Sequence, residues 1–375
     1  MKVVLLTNTL TPYRIPLYAT INRLAPFDFE VWLTAPQYAL RPWGKEVGSK
    51  QTFKTLFLHG LTWHKGERYI PFNPGLTFHL TRKRPEIVIT GGFSIPTLIA
   101  GLYCQAFRKK LIIWSGVTFY TERGISLFRE GLRKALVRRA DAFIAYGNLA
   151  KDYLCFLGAP EGCVFLSYNT VDVAFFTEQS TKWRMRREEL KKEWELPAVV
   201  ILYVGQLIPR KGVEHLLQSV LPLQREGHEV GVLLVGRGES KPNLRAMSQN
   251  LGLNWVLFAG FKPKEELPKY YAVADIFVLP SLDVWGLVVN EAMACGLPVV
   301  CSQTAGASED LIKPGVNGYI VDPTVHHQLT AALRELILKP EVRLEMGHNA
   351  QKTIGQFTIE QAAQGFMQAI SRVKP

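Results

Sequence analysis

The chain has 375 residues, 47% apolar and 11% aromatic, which excludes disorder and leaves room for two domains with sizeable cores. It has no 18-residue apolar stretch, which argues against a membrane-spanning helix, and its five cysteines form no CxxC pair, as expected of reduced thiols in a cytosolic protein. The net charge of +12 favours an anionic partner, whether nucleic acid, phosphorylated ligand or acidic membrane.

The N-terminus, MKVVLLTNTLTPYR, reads as a first strand entering a turn, without the long apolar region or cleavage site of a signal peptide. Apolar runs at 3–7, 29–35, 86–92, 110–116, 142–147 and 164–169 read as strands. Segments with helical spacing, such as 15–24 and 95–107, lie between them. This alternation predicts a parallel sheet with helices on both faces. Residues 1–172 hold 22 Lys/Arg against 11 Asp/Glu, so nearly all the excess charge sits in this half. The helical segment ISLFREGLRKALVRRADAF sets Arg129, Arg133, Lys134, Arg138 and Arg139 among Leu127, Phe128, Leu132, Leu136 and Val137. That pattern reads as a membrane-surface helix or as a helix packing on the sheet.

The polar, charged stretch 173–197 is the expected inter-domain connection. A second strand-helix series follows over 198–355, with strands at 198–206, 230–238, 255–261, 275–281, 297–302 and 317–322. The last segment, 356–375, is expected to be a helix crossing back to the N-terminal domain. Two doubly wound domains of this kind would place a ligand between their strand C-termini.

Three motifs carry chemistry. In YVGQLIPRKG a strand ends at Gly205, and a turn presents Gln206, Arg210 and Lys211 before a helix, suited to neutralising a diphosphate leaving group. The VGRG of 235–238 repeats the arrangement more weakly and adds Arg237. In PSLDVWGLVVNEAMACGLPVV a strand leads into a helix starting at Trp285-Gly286. The amides of Gly286, Leu287 and Val288 are then N-terminal donors for a phosphate. Glu291 shares a helix face with Leu287 and can reach ribose hydroxyls, whereas Asp283, on the loop, projects toward the group beyond the diphosphate.

These motifs, with FAGF, ADIFVLPS and TAGASEDLIKPGVNGYIVDP, closely resemble the retaining glycosyltransferases of family four, over about 150 residues in the family's order. The resemblance implies the GT-B fold, in which two Rossmann-like domains face each other across a cleft, and a nucleotide-sugar donor held by the C-terminal one. It implies retention of anomeric configuration without an essential metal or other cofactor. Lys211 matches the diphosphate-clamping lysine, Glu291 the ribose acid, Gly286 to Val288 the phosphate-binding amides, and Phe261 the wall around the base. Asp283 matches the acid that contacts the donor sugar. By family frequency the donor is a UDP-sugar, and the acceptor is a saccharide or a lipid-linked sugar.

Three residues depart from the pattern. Asp283 stands where the family usually has Glu, Gln206 where an arginine is usual, and Ser115 where many members place a histidine. On the acceptor side, Thr11, Tyr13 and Arg14 follow the first strand, and Gly92 and Ser115 lie on other strand-end loops. A sugar-nucleotide epimerase and a non-catalytic nucleotide-sugar binder are the competing readings. A nucleic-acid binder is suggested by charge alone, without basic–aromatic interleaving.

Overall fold

The computed structural model describes residues 1–35, 51–65 and 68–374. The chain divides into two units, Met1–Asn169 with Ile359–Pro375, and Thr170–Thr358. Unit 1 opens with β1 (Lys2–Thr7), α1 (Ile15–Leu24), β2 (Asp28–Leu33), β3 (Lys54–Phe57), β4 (Leu61–Lys65) and β5 (Arg68–Phe72). It continues through α2 (Leu76–Lys83), β6 (Ile87–Gly91), α3 (Ile95–Ala106), β7 (Lys110–Ser115), α4 (Leu127–Val137), β8 (Ala142–Ala145), α5 (Asn148–Phe156) and β9 (Val164–Leu166).

Seven of these strands form one parallel sheet in the order β3-β2-β1-β6-β7-β8-β9, while β4 and β5 pair antiparallel on their own. The central strands are continuous apolar runs because both faces of the sheet are covered. Val3, Leu5, Ile89, Ile112 and Trp114 face α1 on one side. Val4, Leu6, Val88, Leu111 and Ile113 face α2, α3 and α5 on the other.

Unit 2 begins with α6 (Val173–Arg184) and α7 (Arg187–Glu193), the segment expected as a connection. Its polar surface hides two anchors, Phe176 and Leu190, which are fully buried. The sheet elements are β10 (Val199–Val204), α8 (Val213–Arg225), β11 (Val230–Val235), α9 (Lys241–Asn250), β12 (Val256–Gly260), α10 (Leu267–Val273) and β13 (Ile276–Leu279). Then follow α11 (Leu287–Ala294), β14 (Val299–Ser302), α12 (Ser308–Leu311), β15 (Gly318–Val321), α13 (His326–Leu338) and α14 (Pro340–Ile354). Six parallel strands run in the order β12-β11-β10-β13-β14-β15, so the strand order reverses at β10.

The last helix, α15 (Ile359–Val373), returns to unit 1. Ala362, Ala363, Phe366, Ala369, Ile370 and Val373 form its buried stripe at helical spacing. Gly365 lets the helix touch β9, since a Cβ there would collide with the Leu166 carbonyl oxygen. Ser167 Oγ donates to the Ala362 carbonyl at 2.8 Å. Removing Phe366 would leave a cavity against Trp114, whose ring centroid is 4.9 Å away, at a cost of about 3–5 kcal/mol.

Candidate active site

The site in unit 2 is built at the C-terminal ends of β10, β11 and β13, where ligands meet a sheet whose strand order reverses. The turns after β10 and β11 lie directly on one another. A Cβ at Gly236 would run into the Gly205 carbonyl oxygen, and one at Gly238 into that of Leu207. Leu207 N donates to the Arg237 carbonyl at 2.9 Å, and Ser240 N to the Leu207 carbonyl at 2.8 Å. The glycines of VGRG are therefore explained by backbone contact with the first turn. Tyr203, fully buried, donates its hydroxyl to the Gln206 carbonyl at 2.8 Å and fixes the turn from below.

After that turn a 3-10 segment, Pro209–Lys211, presents Arg210 and Lys211. Gly212, at φ 62°, closes it in the left-handed region, and a Cβ there would meet the Pro280 carbonyl oxygen. This contact brings Lys211 onto the loop after β13. Lys211 Nζ donates to both carboxylate oxygens of Asp283, at 2.7 and 2.5 Å. Ser281 Oγ donates to Asp283 Oδ2 at 2.6 Å, and Arg210 Nη1 to Oδ1 at 3.3 Å. Arg210 Nη1 also donates to the Leu282 carbonyl at 2.8 Å. Burial pushes the Asp283 carboxyl up, but the charge and hydrogen bonds of Lys211, with Ser281 and Arg210, outweigh it and hold the group below the usual aspartate range.

Gly286 precedes α11 at φ 105°, so the helix starts at Leu287 with Leu287 and Val288 in its first turn, as the sequence predicts. Glu291 lies further along that helix, 1% exposed, and accepts a hydrogen bond from the Tyr271 hydroxyl of α10 at 2.7 Å. At the end of β12, the half-exposed Phe261 ring lies under the Arg237 guanidinium, 5.3 Å from centroid to Cζ.

The structure thus brings Lys211, Arg210 and Asp283 into one ion-paired cluster, and Arg237 and Phe261 into a second contact. Sequence reasoning missed Ser281, Tyr203 and Tyr271. The Ser-x-Asp spacing was a readable signal for the first. The tyrosines act through folded contacts with no local signature.

The sequence-selected residues of unit 1 are placed as follows. The Thr11 carbonyl accepts from Arg14 N at 2.9 Å and turns the chain into α1. Tyr13 lies on the same turn, half-buried. Gly92, at φ 72°, donates its N–H to the Trp114 carbonyl at 2.7 Å. Ser115 is 1% exposed, and its Oγ accepts from Val117 N at 3.3 Å, a loop-shaping contact. Arg14 Nη2 donates to the Tyr146 hydroxyl at 2.7 Å, with the guanidinium 3.9 Å above the Trp114 ring. Among the described residues, no group of three or more His, Cys, Asp or Glu could hold a metal ion.

With this geometry in view, the glycosyl transferases group 1 family matches residues 186–353, which hold every element of the ion-paired cluster. That match spans somewhat under half of the chain. The chain is 36% identical over 173 residues to a GDP-mannose-dependent alpha-(1-6)-phosphatidylinositol monomannoside mannosyltransferase of Mycolicibacterium smegmatis, covering 44% of each. It is 31% identical over 168 residues to the alpha-D-kanosaminyltransferase of Streptomyces kanamyceticus, covering 44% of this chain and 43% of that one. The chain therefore spans less than half the length of these curated relatives. Its fold is shared along the whole chain. Anabaena Alr3699/HepE, solved in complex with UDP, superposes with a TM-score of 0.78 at 21% identity, covering 99% of this chain and all of that one. WaaG, a glycosyltransferase involved in lipopolysaccharide biosynthesis, superposes with a TM-score of 0.69 at 15% identity, covering 100% of both chains. The architecture is GT-B, two Rossmann-like domains with the C-terminal helix returning to the first.

Proposed function

We propose that the protein is a retaining glycosyltransferase that moves a hexosyl unit from a nucleoside-diphosphate sugar, a UDP-sugar, to a saccharide or lipid-linked acceptor. Such a reaction belongs to glycolipid or cell-surface polysaccharide synthesis. The carrying observation is the Lys211–Arg210–Asp283 cluster on a glycine-built strand-end turn inside the region matched by the group 1 family. Lys211 and Arg210, with the amides at the start of α11, would stabilise the departing diphosphate, which removes the need for a metal. Glu291 would accept hydrogen bonds from the ribose, and Phe261 with Arg237 would wall the base. Asp283 would reach the donor sugar only by leaving Lys211. The relatives' names support the class: one is a GDP-mannose-dependent mannosyltransferase, and HepE is solved with UDP. Calorimetric titration of the full chain with UDP, GDP and ADP tests the donor, with UDP expected to bind at least tenfold tighter than the others. Tighter GDP binding would reassign the base, and no nucleotide binding would overturn the reading.

The same proposal places the protein on the cytoplasmic, anionic face of a membrane through α4. Leu127 and Phe128 are 85% and 81% exposed at its start, beside the exposed Arg129, Arg138 and Arg139. Phe119 and Phe156 extend the apolar surface, and Lys134 lies 4.8 Å over the Phe156 ring. Arg133 is the exception in the basic series: it is buried and paired with Glu122, so α4 is fixed to the unit while its N-terminal end stays apolar and exposed. An apolar tip ringed by cations matches a bilayer carrying acidic lipid. Sedimentation with liposomes should show binding that requires acidic lipid, fades with salt and drops in a Leu127→Ser/Phe128→Ser variant. Equal partitioning to neutral liposomes would count against it.

A further inference from the structure

Unit 1 holds two arginines in nearly the same setting. Arg133 donates Nη1 to the Tyr153 hydroxyl at 3.0 Å, lies 5.2 Å over the Phe93 ring, and pairs with Glu122 at 2.8 Å. Arg14 donates Nη2 to the Tyr146 hydroxyl at 2.7 Å and lies 3.9 Å over the Trp114 ring, with the Tyr146 ring 5.0 Å away. The difference is the acid. Among the described residues, no carboxylate pairs with Arg14, and its Nη1 is buried without an acceptor. Trp114, 3% exposed, likewise has an Nε1 with no acceptor.

A guanidinium taken partly out of water needs a counter-charge, and ring faces recover only a fraction of the lost solvation. At Arg133 the chain supplies that charge itself. At Arg14 the described residues supply everything except the charge. The setting is nonetheless a specific one. A Cβ at Gly116 would collide with the Tyr146 ring, so the small residue after β7 is what lets that ring lie beneath the guanidinium. Arg14 precedes α1, whose first turn contains no acid, so the helix dipole adds positive potential at the same point. Trp114 and Tyr146 stand at the C-terminal ends of β7 and β8, the edge where parallel sheets bind ligands.

We infer that Arg14, Trp114 and Tyr146 form a recognition site for an anionic group on the acceptor, a carboxylate or a phosphate monoester. This deepens the proposed function and rests on its assignment of unit 1 to the acceptor. The anion supplies the charge that Glu122 supplies to Arg133. Tyr146 accepts from Arg14, so its own hydroxyl proton is a further donor for the same anion. The site selects a charged sugar over a neutral one and binds it through a planar fork that lysine cannot reproduce.

The test is binding of glucuronate, glucose 6-phosphate and glucose to the full chain, measured by calorimetry with UDP present at saturation so that the Lys211 cluster is occupied. One of the two anionic sugars should bind at least about tenfold tighter than glucose, and which one does identifies the group as carboxylate or phosphate. Arg14→Gln should reduce that affinity to the level of glucose while UDP affinity stays unchanged. Tyr146→Phe, which keeps the ring, should lower it by a smaller factor and serves if Arg14→Gln does not fold. Anionic sugars binding no tighter than glucose, or equally well to both variants and the natural chain, would overturn the inference. Failure of UDP to bind would sink the donor reading instead, and the comparison of Arg14 variants would then be made without it.

Discussion

Lys211 in unit 2 and Arg14 in unit 1 each stand at the C-terminal edge of a parallel sheet; among the described residues, one is answered by a carboxylate and the other is not. In the proposed reaction, the pairing of Lys211 with Asp283 would keep a strong cation partly neutralised until a diphosphate competes for it. Among the described residues Arg14 has no such internal competitor, so in the inferred site its selectivity would rest on the ligand's own charge. Under the proposed function, the region matched by the group 1 family would hold a general donor clamp, while unit 1 would read the acceptor. A third acid, Asp275, supplies the purely structural reference. It lies at the opposite, N-terminal end of β13, where it binds Arg187 at 2.6 Å, Lys191 at 3.1 Å and the Val200 N–H at 2.9 Å.

Asp275 should give the largest effect. Asp275→Asn leaves Arg187, Lys191 and, at 3.8 Å, Arg343 facing a neutral group and should lower stability by about 3 kcal/mol in urea unfolding, without changing UDP affinity. Burial pushes this carboxyl up, but Arg187 and Lys191 overcome it and hold it below the ordinary value. A lowered folded pKa means the stabilisation is fully present above the ordinary aspartate range and is lost as pH falls through the folded value. The acid limb of the stability profile should therefore flatten in Asp275→Asn, and an unchanged limb would assign acid unfolding elsewhere. Next in size, Lys211→Ala should lower turnover about 10²–10³-fold in a transfer assay, the loss of one charge-stabilising donor. Turnover within tenfold of the natural chain would move the leaving-group role to another residue.

What could be read from the sequence followed from burial and from glycine. All six residues of β10 and of β11 are buried, so those strands announce themselves as unbroken apolar runs. β3 has no such run: it is a four-residue edge strand of exposed and half-exposed residues, and its pattern carries no signal. The polar stretch 173–197 reads as a connection because two anchors, Phe176 and Leu190, are too few to show a helical period. Lys211 is legible because Gly212 beside it marks a backbone that must approach another, and Gly286 because the left-handed turn before α11 requires glycine. Arg14 was legible by position alone. Its partners lie 100 and 132 positions away, and the missing acid becomes visible only when Arg133 and Glu122 are seen beside it. Asp283 shows the converse: its motif points to the donor sugar, and the folded loop turns it onto Lys211.

That reorientation separates two roles by experiment. If Asp283 restrains Lys211, Asp283→Asn should tighten UDP binding about tenfold by removing the competing carboxylate, while slowing transfer through loss of position. If Asp283 instead grips the sugar from outside the clamp, UDP affinity should stay constant and only the UDP-sugar should bind more weakly. Asp283→Glu distinguishes them further. The longer carboxylate should restore sugar contact under the second account, and should leave UDP affinity close to that of the natural chain under the first.

The smallest effect belongs to Arg210. Its side chain is 35% exposed and touches Asp283 at 3.3 Å, a longer contact than that of Lys211, so solvent screens its charge. Gln206 leaves the proposed clamp one cation short of the pattern that the sequence resemblance implies, and Arg210 stands on the same turn. Arg210→Ala should weaken UDP binding about fivefold at low salt, close to 1 kcal/mol, with the loss shrinking as ionic strength rises. An affinity unchanged at low salt would give Arg210 a structural role, through contacts such as its hydrogen bond to the Leu282 carbonyl. The variant would then show a lowered melting temperature with an intact clamp, and Lys211 alone would carry the charge that faces the diphosphate.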